Sequence, residues 1–205
     1  MTVHIALASA SEVEECARLV AEALRDDAVL HALIPGEHDR SGRLTGLFTS
    51  VFRSGPMECG AIDVARLEPD GKIVGVAAWE GPDKRRRRGA ALQELCYYVR
   101  AAGLRHAPSV RKQLAAYQKV QPRDRHWYLA DIGVSDAARG HGVGTALIEH
   151  RLSEIDVQRL PAYLEATTPD NQRLYDRLGF RPVRAIETAN ATATGMLRTP
   201  RKPTT

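Results

Sequence analysis

One stretch limits what this chain can fold into more than any other: Trp127 to Thr145. A short apolar run, Trp127-Tyr-Leu-Ala-Asp-Ile-Gly-Val134, stops at the polar turn Ser135-Asp-Ala-Ala138. Glycines follow at 140, 142 and 144, and an amphipathic pattern then runs through Val143, Ala146, Leu147, His150 and Leu152. Strand, glycine bend and helix, in that order, aim a row of backbone N–H groups and a helix N-terminus at one point. Unsatisfied donors and the helix dipole both favour negative charge there, so the segment is expected to hold a phosphate or pyrophosphate. The dinucleotide fingerprint fails, because position 145 is Thr145 and not a third glycine. The Walker loop fails too, because no lysine follows Gly144. What remains is Arg-x-x-Gly-x-Gly, supplied by Arg139, Gly142 and Gly144.

Downstream, Leu160-Pro-Ala-Tyr-Leu-Glu-Ala-Thr167 reads as a short strand bounded by Pro161 and by Thr168-Pro169. A helix follows from Asp170, capped by Thr168 or Asp170, with Leu174 and Leu178 on one face and Gly179 at its end.

In that order the two segments resemble the cofactor motifs of the GNAT N-acetyltransferases. Arg139-Gly140-His141-Gly142-Val143-Gly144-Thr145 resembles their acetyl-CoA pyrophosphate loop, and Asn171-x-x-x-Tyr175-x-x-Leu178-Gly179-Phe180 is similar to their second cofactor motif. The resemblance implies acetyl-CoA as co-substrate, with no metal. It implies that residues 139–145 hold the pyrophosphate, His141 through its backbone N–H, and that Asn171 steadies the pantetheine arm. Tyr175 would stand beside the thioester sulfur, and a backbone N–H of Ile132, Gly133 or Val134 would face the thioester oxygen. Within the superfamily, Trp127–Ser135, Pro161–Glu165 and Leu174–Phe180 look like the matching segments of the puromycin N-acetyltransferase-like branch. That likeness covers the C-terminal third. Arg139 stands where many of those relatives carry Gln, and Asp136 replaces their usual proline.

Acetyl transfer brings an amine nitrogen to a thioester carbonyl and expels a thiolate. An aliphatic ammonium of pKa about 10.4 is neutral in roughly one molecule in a thousand at pH 7, so a base is expected near the cleft. An ionisable group in an apolar strand must be paired, solvated or neutral. Asp131 and Glu165 therefore lead the candidates, with Glu80 behind them. His126, at a strand mouth, is expected to be exposed. For Tyr175 the competing reading is a plain core tyrosine.

The remaining elements order as α/β. Val3–Leu7 alternates as a strand, and Ser9-Ala-Ser-Glu12 is a capping box before a helix striped by Val13, Cys16, Ala17, Val20 and Leu24. Leu30–Phe52 is helical, broken at Pro35-Gly36. Ala61–Leu67 and Lys72–Trp79 flank the hairpin turn Glu68-Pro-Asp-Gly71. Helices at 89–104 and 109–120 are separated by Gly103 and Pro108, and 181–186 with 192–197 closes the sheet. The expectation is a GNAT-type mixed, largely antiparallel sheet with helices on both faces. One domain spans 1–199, a helical insertion at 89–121 lies near the acceptor cleft, and 200–205 is a loose tail. Among the insertion's aromatics, Tyr97 and Tyr98 are adjacent and cannot both face inward.

A chain of 205 residues that is 43% hydrophobic can bury one substantial core. Cys16, Cys59 and Cys96 show no paired spacing and read as buried small hydrophobes in a reducing cytosol. No membrane-length apolar run or leader core is present, so a soluble cytoplasmic protein is expected. The net charge is +4, and the five cations of Lys84-Arg-Arg-Arg-Arg88 exceed it, so the rest of the chain is not basic. With no interleaved aromatics, the run argues against a nucleic-acid partner. The functional expectation is acetyl transfer to a primary amine of a small molecule by direct attack in a ternary complex. The alternatives are a protein amino group, aminoacyl-tRNA, or a non-catalytic acyl-CoA sensor. Homodimers are common in such enzymes, and no sequence feature selects one.

Overall fold

The computed structural model describes residues 2–83, 89–188 and 192–201. The basic run 84–88 and most of the expected tail lie outside these. Strand β1 (Val3–Leu7) leads to a 3₁₀ turn at Ala10–Glu12, where the Glu12 carboxylate accepts from the backbone N–H and hydroxyl of Ser9, both at 2.8 Å. That arrangement starts α1 (Val13–Ala23), whose buried stripe is Val13, Cys16, Ala17, Val20 and Ala21. Asp27 caps α2 (Ala28–Leu33), accepting from the N–H groups of Val29 and Leu30, and α3 (Arg40–Ser54) and the short α4 (Pro56–Cys59) follow. The hairpin is β2 (Gly60–Leu67) and β3 (Ile73–Glu80). The insertion forms α5 (Ala90–Ala102) and α6 (Ala107–Val120). Pro108 does not precede α6 but sits in its first turn, where its missing N–H removes no helical bond.

The C-terminal half runs β4 (Trp127–Val134), α7 (Val143–Val157), β5 (Ala162–Ala166), α8 (Pro169–Arg177), β6 (Arg181–Glu187) and β7 (Thr192–Arg198). The seven strands form one sheet in the order β1-β2-β3-β4-β5-β7-β6. The β4–β5 pair is parallel and all others are antiparallel. Two apolar layers sandwich the sheet. One, with Val20, Phe48, Phe52, Val64 and Val76, lies under α1, α2, α3, α5 and α6. The other, with Trp79, Leu129, Leu147, Ile155 and Phe180, lies under α7 and α8.

Two features of the sheet set up the cleft. First, β4 and β5 pair only at Trp127↔Ala162 and Tyr128↔Tyr163, then diverge. Second, β3 pairs Ala78 with Asp131 but Trp79 with Leu129, so Ala130 is an extra residue in β4. This bulge lets Leu129 and Ile132, three apart, share one face, and leaves Tyr128 and Asp131 on the other.

Three details differ from the sequence expectation. His126 is not exposed but 6% accessible, its Nδ1 2.7 Å from the Asp124 carbonyl and its ring edge-on to Tyr163. Only Cys16 is buried, and Cys96 is exposed. The inner face of α7 carries Arg151, which pairs with the fully buried Asp63 at 2.9 and 2.5 Å and lies over the Trp127 ring.

Candidate active site

Where β4 and β5 diverge, a cleft of about 1610 Å³ opens, lined by the ends of α1 and α2, one face of α5, α6, both strands, the 136–145 loop and α8. The loop forms one end. Gly140 and Gly142 have φ of 77° and 78°, a conformation that strains any side chain, and Gly142 caps α7. The first-turn N–H groups of α7 have no acceptor inside the helix and are presented to the cleft mouth. Gly75 lets α7 come this close, since a Cβ there would stand 2.8 Å from Val143 Cγ1. Arg139 donates to the Ala23 carbonyl at 3.1 Å and pairs with Asp136 at 3.2 Å, which ties the loop to the end of α1. The His141 ring is exposed, with Nδ1 2.9 Å from the Arg139 carbonyl. Together, an open helix N-terminus and two left-handed glycines fit a pyrophosphate.

The gap beside β4 supplies donors next to that end. Ser135 N–H donates to Val74 in β3 at 2.9 Å. Because N–H groups alternate along a strand, the Gly133 N–H also points to β3, while those of Ile132 and Val134 point into the gap. Gly133 serves packing instead: a Cβ there would stand 3.0 Å from Val20 Cα and Ala23 Cβ of α1.

Thr168 caps α8 by accepting from Asn171 N–H at 3.2 Å, which sets Asn171 and Tyr175 on the cleft side. Tyr175 is 5% exposed and packs edge-on against Phe180 at 6.1 Å. Burial pushes its pKa up to about 12, so the hydroxyl stays protonated.

Glu165 stands on β5 across from Asp131 on β4, and both line the cleft. Gln121 Nε2 donates to Glu165 Oε1 at 3.4 Å, and the nearby Tyr128 and Tyr163 hydroxyls also favour the ionised carboxylate. Burial outweighs these bonds and pushes the pKa up to about 7, with Glu80 adding repulsion. Tyr163 reaches this position because Gly195 lies opposite Glu165 in β7; a Cβ on Gly195 would stand 2.6 Å from the Tyr163 hydroxyl. Tyr98, and not Tyr97, lines the cleft, held protonated by burial and by Asp131, Glu94, Glu80 and Glu165 around it. Both Tyr97 and Tyr98 are half-buried and pack against the α1-side core, contrary to the expectation that only one of them faces inward. The Tyr117 hydroxyl is buried in the cleft wall with no partner.

The structure thus gathers the expected residues around one cleft, with the His141 side chain outside it. Sequence reasoning assigned no role to Gln121, Tyr128, Tyr163 or Gly195. For Tyr128 the available signal was its place in β4 three residues before Asp131, hidden by the bulge.

Residues 93–182 match the acetyltransferase (GNAT) domain. A 62-residue stretch covering 30% of this chain is 39% identical to an uncharacterized N-acetyltransferase of Schizosaccharomyces pombe, and spans about 25% of that protein. A Corynebacterium glutamicum structure described as histone acetyltransferase HPA2 and related acetyltransferase is similar over 100% of both chains, at 29% identity and TM-score 0.76. Arylalkylamine N-acetyltransferase 2 from Aedes aegypti shares the fold over 98% of this chain and 100% of its own, at 14% identity and TM-score 0.66. Residues 93–182 are thus similar to the acetyltransferase (GNAT) domain, and the whole chain shares the fold of these acetyltransferase structures.

Proposed function

We propose that the chain, read as a single domain over residues 1–199, is an acetyl-CoA-dependent N-acetyltransferase acting on a primary amine of a small molecule in a ternary complex. The observation that carries this is the meeting, in one cleft, of an anion-binding helix end with a carboxylate whose pKa is raised to about 7. The Gly140–Thr145 backbone would hold the pyrophosphate and Asn171 the pantetheine arm. Acetyl-CoA supplies the acetyl group as a thioester. A base near pH 7 is matched to its working pH: Asp131 holds the ammonium, and Glu165 takes one proton from it to free the lone pair that attacks. The second proton, lost as the C–N bond forms, passes to solvent. Ile132 and Val134 N–H groups face the oxygen on which negative charge grows. As the C–S bond breaks, the Tyr175 hydroxyl hydrogen-bonds the sulfur. Full proton transfer from a hydroxyl at about 12 to a thiolate near 8.5 would run uphill by roughly 5 kcal/mol, so the thiolate takes its proton from solvent.

The small-molecule reading draws support from the tyrosine-walled cleft and from the fold shared with an arylalkylamine N-acetyltransferase. The C-terminal segments quoted above support a place in the puromycin N-acetyltransferase-like branch. Among the described residues no helix is long and apolar enough to cross a membrane. The test is a thiol-release screen over primary amines, puromycin included, with the product identified by mass. Release matched by an N-acetyl product supports the reading, and transfer only to protein or tRNA overturns it.

A further inference from the structure

The acceptor half of the cleft has a marked charge imbalance. Its walls carry Asp27, Glu80, Glu94, Asp131 and Glu165, interleaved with Tyr98, Tyr117 and Tyr128. The cations among the described lining residues are Arg25, Arg139 and Arg177, in the turn after α1, the glycine loop and α8. Arg25 pairs with Asp26 at 3.7 Å and Arg139 with Asp136. None lies on α5, α6, β4 or β5, the elements that form the acceptor half.

Glu94, Glu80, Asp131 and Glu165 stand around the Tyr98 hydroxyl and not around a metal site. Among the described residues, no three His, Cys, Asp or Glu groups converge to hold a metal ion. Asp27 is bonded to Thr167 at the β5 end, at 2.9 Å, while Glu94 lies on α5. Glu94 and Tyr98 are one helical turn apart and both line the cleft, so a carboxylate and a tyrosine ring are stacked on the same wall. One ammonium at Glu165 and Asp131 leaves this second pair facing the same space. A carboxylate beside an aromatic ring attracts a protonated nitrogen by charge and by the ring's π-face.

We propose that the acceptor is an extended dicationic amine, with the nitrogen to be acetylated at Glu165 and a second, permanently protonated nitrogen held by Glu94 and Tyr98. This rests on the transferase reading above and names its substrate class. At the reacting end the bonds balance as already given: C–N forms, C–S breaks, Glu165 takes the first proton of the ammonium, and the second passes to the solvent that protonates the thiolate. The second nitrogen undergoes no chemistry and contributes binding and register alone.

The experiment compares α,ω-diaminoalkanes of increasing length with 1-aminoalkanes and ω-aminoalkanoates of matched length. The readouts are kcat/KM, and calorimetric binding of each amine to the protein saturated with CoA. A charged hydrogen bond predicts a diamine preference of about tenfold or more at one optimal length. In Glu94→Gln that preference falls about tenfold through KM, and Glu94→Asp restores part of it. Equal use of monoamines, or a Glu94→Gln ratio unchanged from wild type, overturns the inference and leaves the transferase reading standing. So does preference for the anionic series, the outcome that the basic run at 84–88 would favour. Selective diamine binding without acetylation of any amine upholds the charge assignment and overturns the transferase. Neither binding nor turnover overturns both.

Discussion

Replacing Glu165 by Gln should stabilise the protein while disabling it. Folding raises this carboxyl from 4.5 to about 7, chiefly by burial. A raised carboxyl pKa means that the folded state holds the proton more tightly than the unfolded chain. The ionised form therefore weakens the fold, by nothing below pH 4.5, increasingly between 4.5 and 7, and fully above 7. At about 1.4 kcal/mol per pH unit, the cost at pH 8 is about 3 kcal/mol. Gln is nearly isosteric with the protonated acid and carries no charge, so Glu165→Gln removes that cost, less whatever its amide fails to pair. For a chain of this length the gain corresponds to roughly 6–12 °C in Tm. Differential scanning fluorimetry should show the gain at pH 8 and lose it as pH falls toward 4.5. In the same variant kcat should drop by about 10²- to 10⁴-fold, the usual share of a general base. In the wild type, kcat/KM for the amine should rise about tenfold between pH 6 and pH 8, as Glu165 of the free enzyme goes from roughly a tenth to nine-tenths ionised. A variant no more stable than wild type at pH 8, or one with the same pH dependence of Tm, refutes the reasoning. It would mean that Glu165 is stabilised by its partners and not opposed by its surroundings.

Other changes address the remaining parts of the site. Tyr175→Phe should lower kcat by about 10- to 100-fold through one lost hydrogen bond to developing charge, with acetyl-CoA affinity within about twofold of wild type by calorimetry. Gly142→Ala forces a side chain into a left-handed backbone at the α7 cap, so KM for acetyl-CoA should rise about tenfold with little change in acceptor KM. Gly195→Ala displaces the Tyr163 hydroxyl and weakens its pull on the Glu165 carboxylate. The acid limb of the kcat/KM–pH profile should then move to higher pH, and an unmoved limb would exclude Tyr163 from the proton path.

The glycine bend before α7 and the capped start of α8 were legible because their information is local. Gly140, Gly142 and Thr168 impose backbone states that need no distant partner, and Asn171 and Tyr175 follow from one helical period. The order β5-β7-β6 was not legible, since β7 inserts between sequence neighbours only once its apolar face meets Tyr163 and Leu164. Nor was the Ala130 bulge, which is set by pairing with Ala78 and Trp79 about 50 residues earlier. Glu165 could be nominated as a buried acid, but its pKa depends on Gln121, Tyr128 and Tyr163, which converge through three separate elements. The Asp63–Arg151 pair escaped for the same reason, its partners being 88 residues apart. Local backbone chemistry set the glycine-loop end of the cleft, whereas long-range packing decides the end around Glu165.

The central claim is that this cleft binds acetyl-CoA at the α7 N-terminus and passes its acetyl group to an amine. Titrating acetyl-CoA into wild-type and Gly142→Ala protein by calorimetry tests it most directly, with thiol release then followed on adding amine to the wild-type complex. The account predicts a single site with micromolar affinity, weakened about tenfold by the variant, and thiol release that begins only with the amine. Absence of binding, or binding indifferent to Gly142, would contradict it.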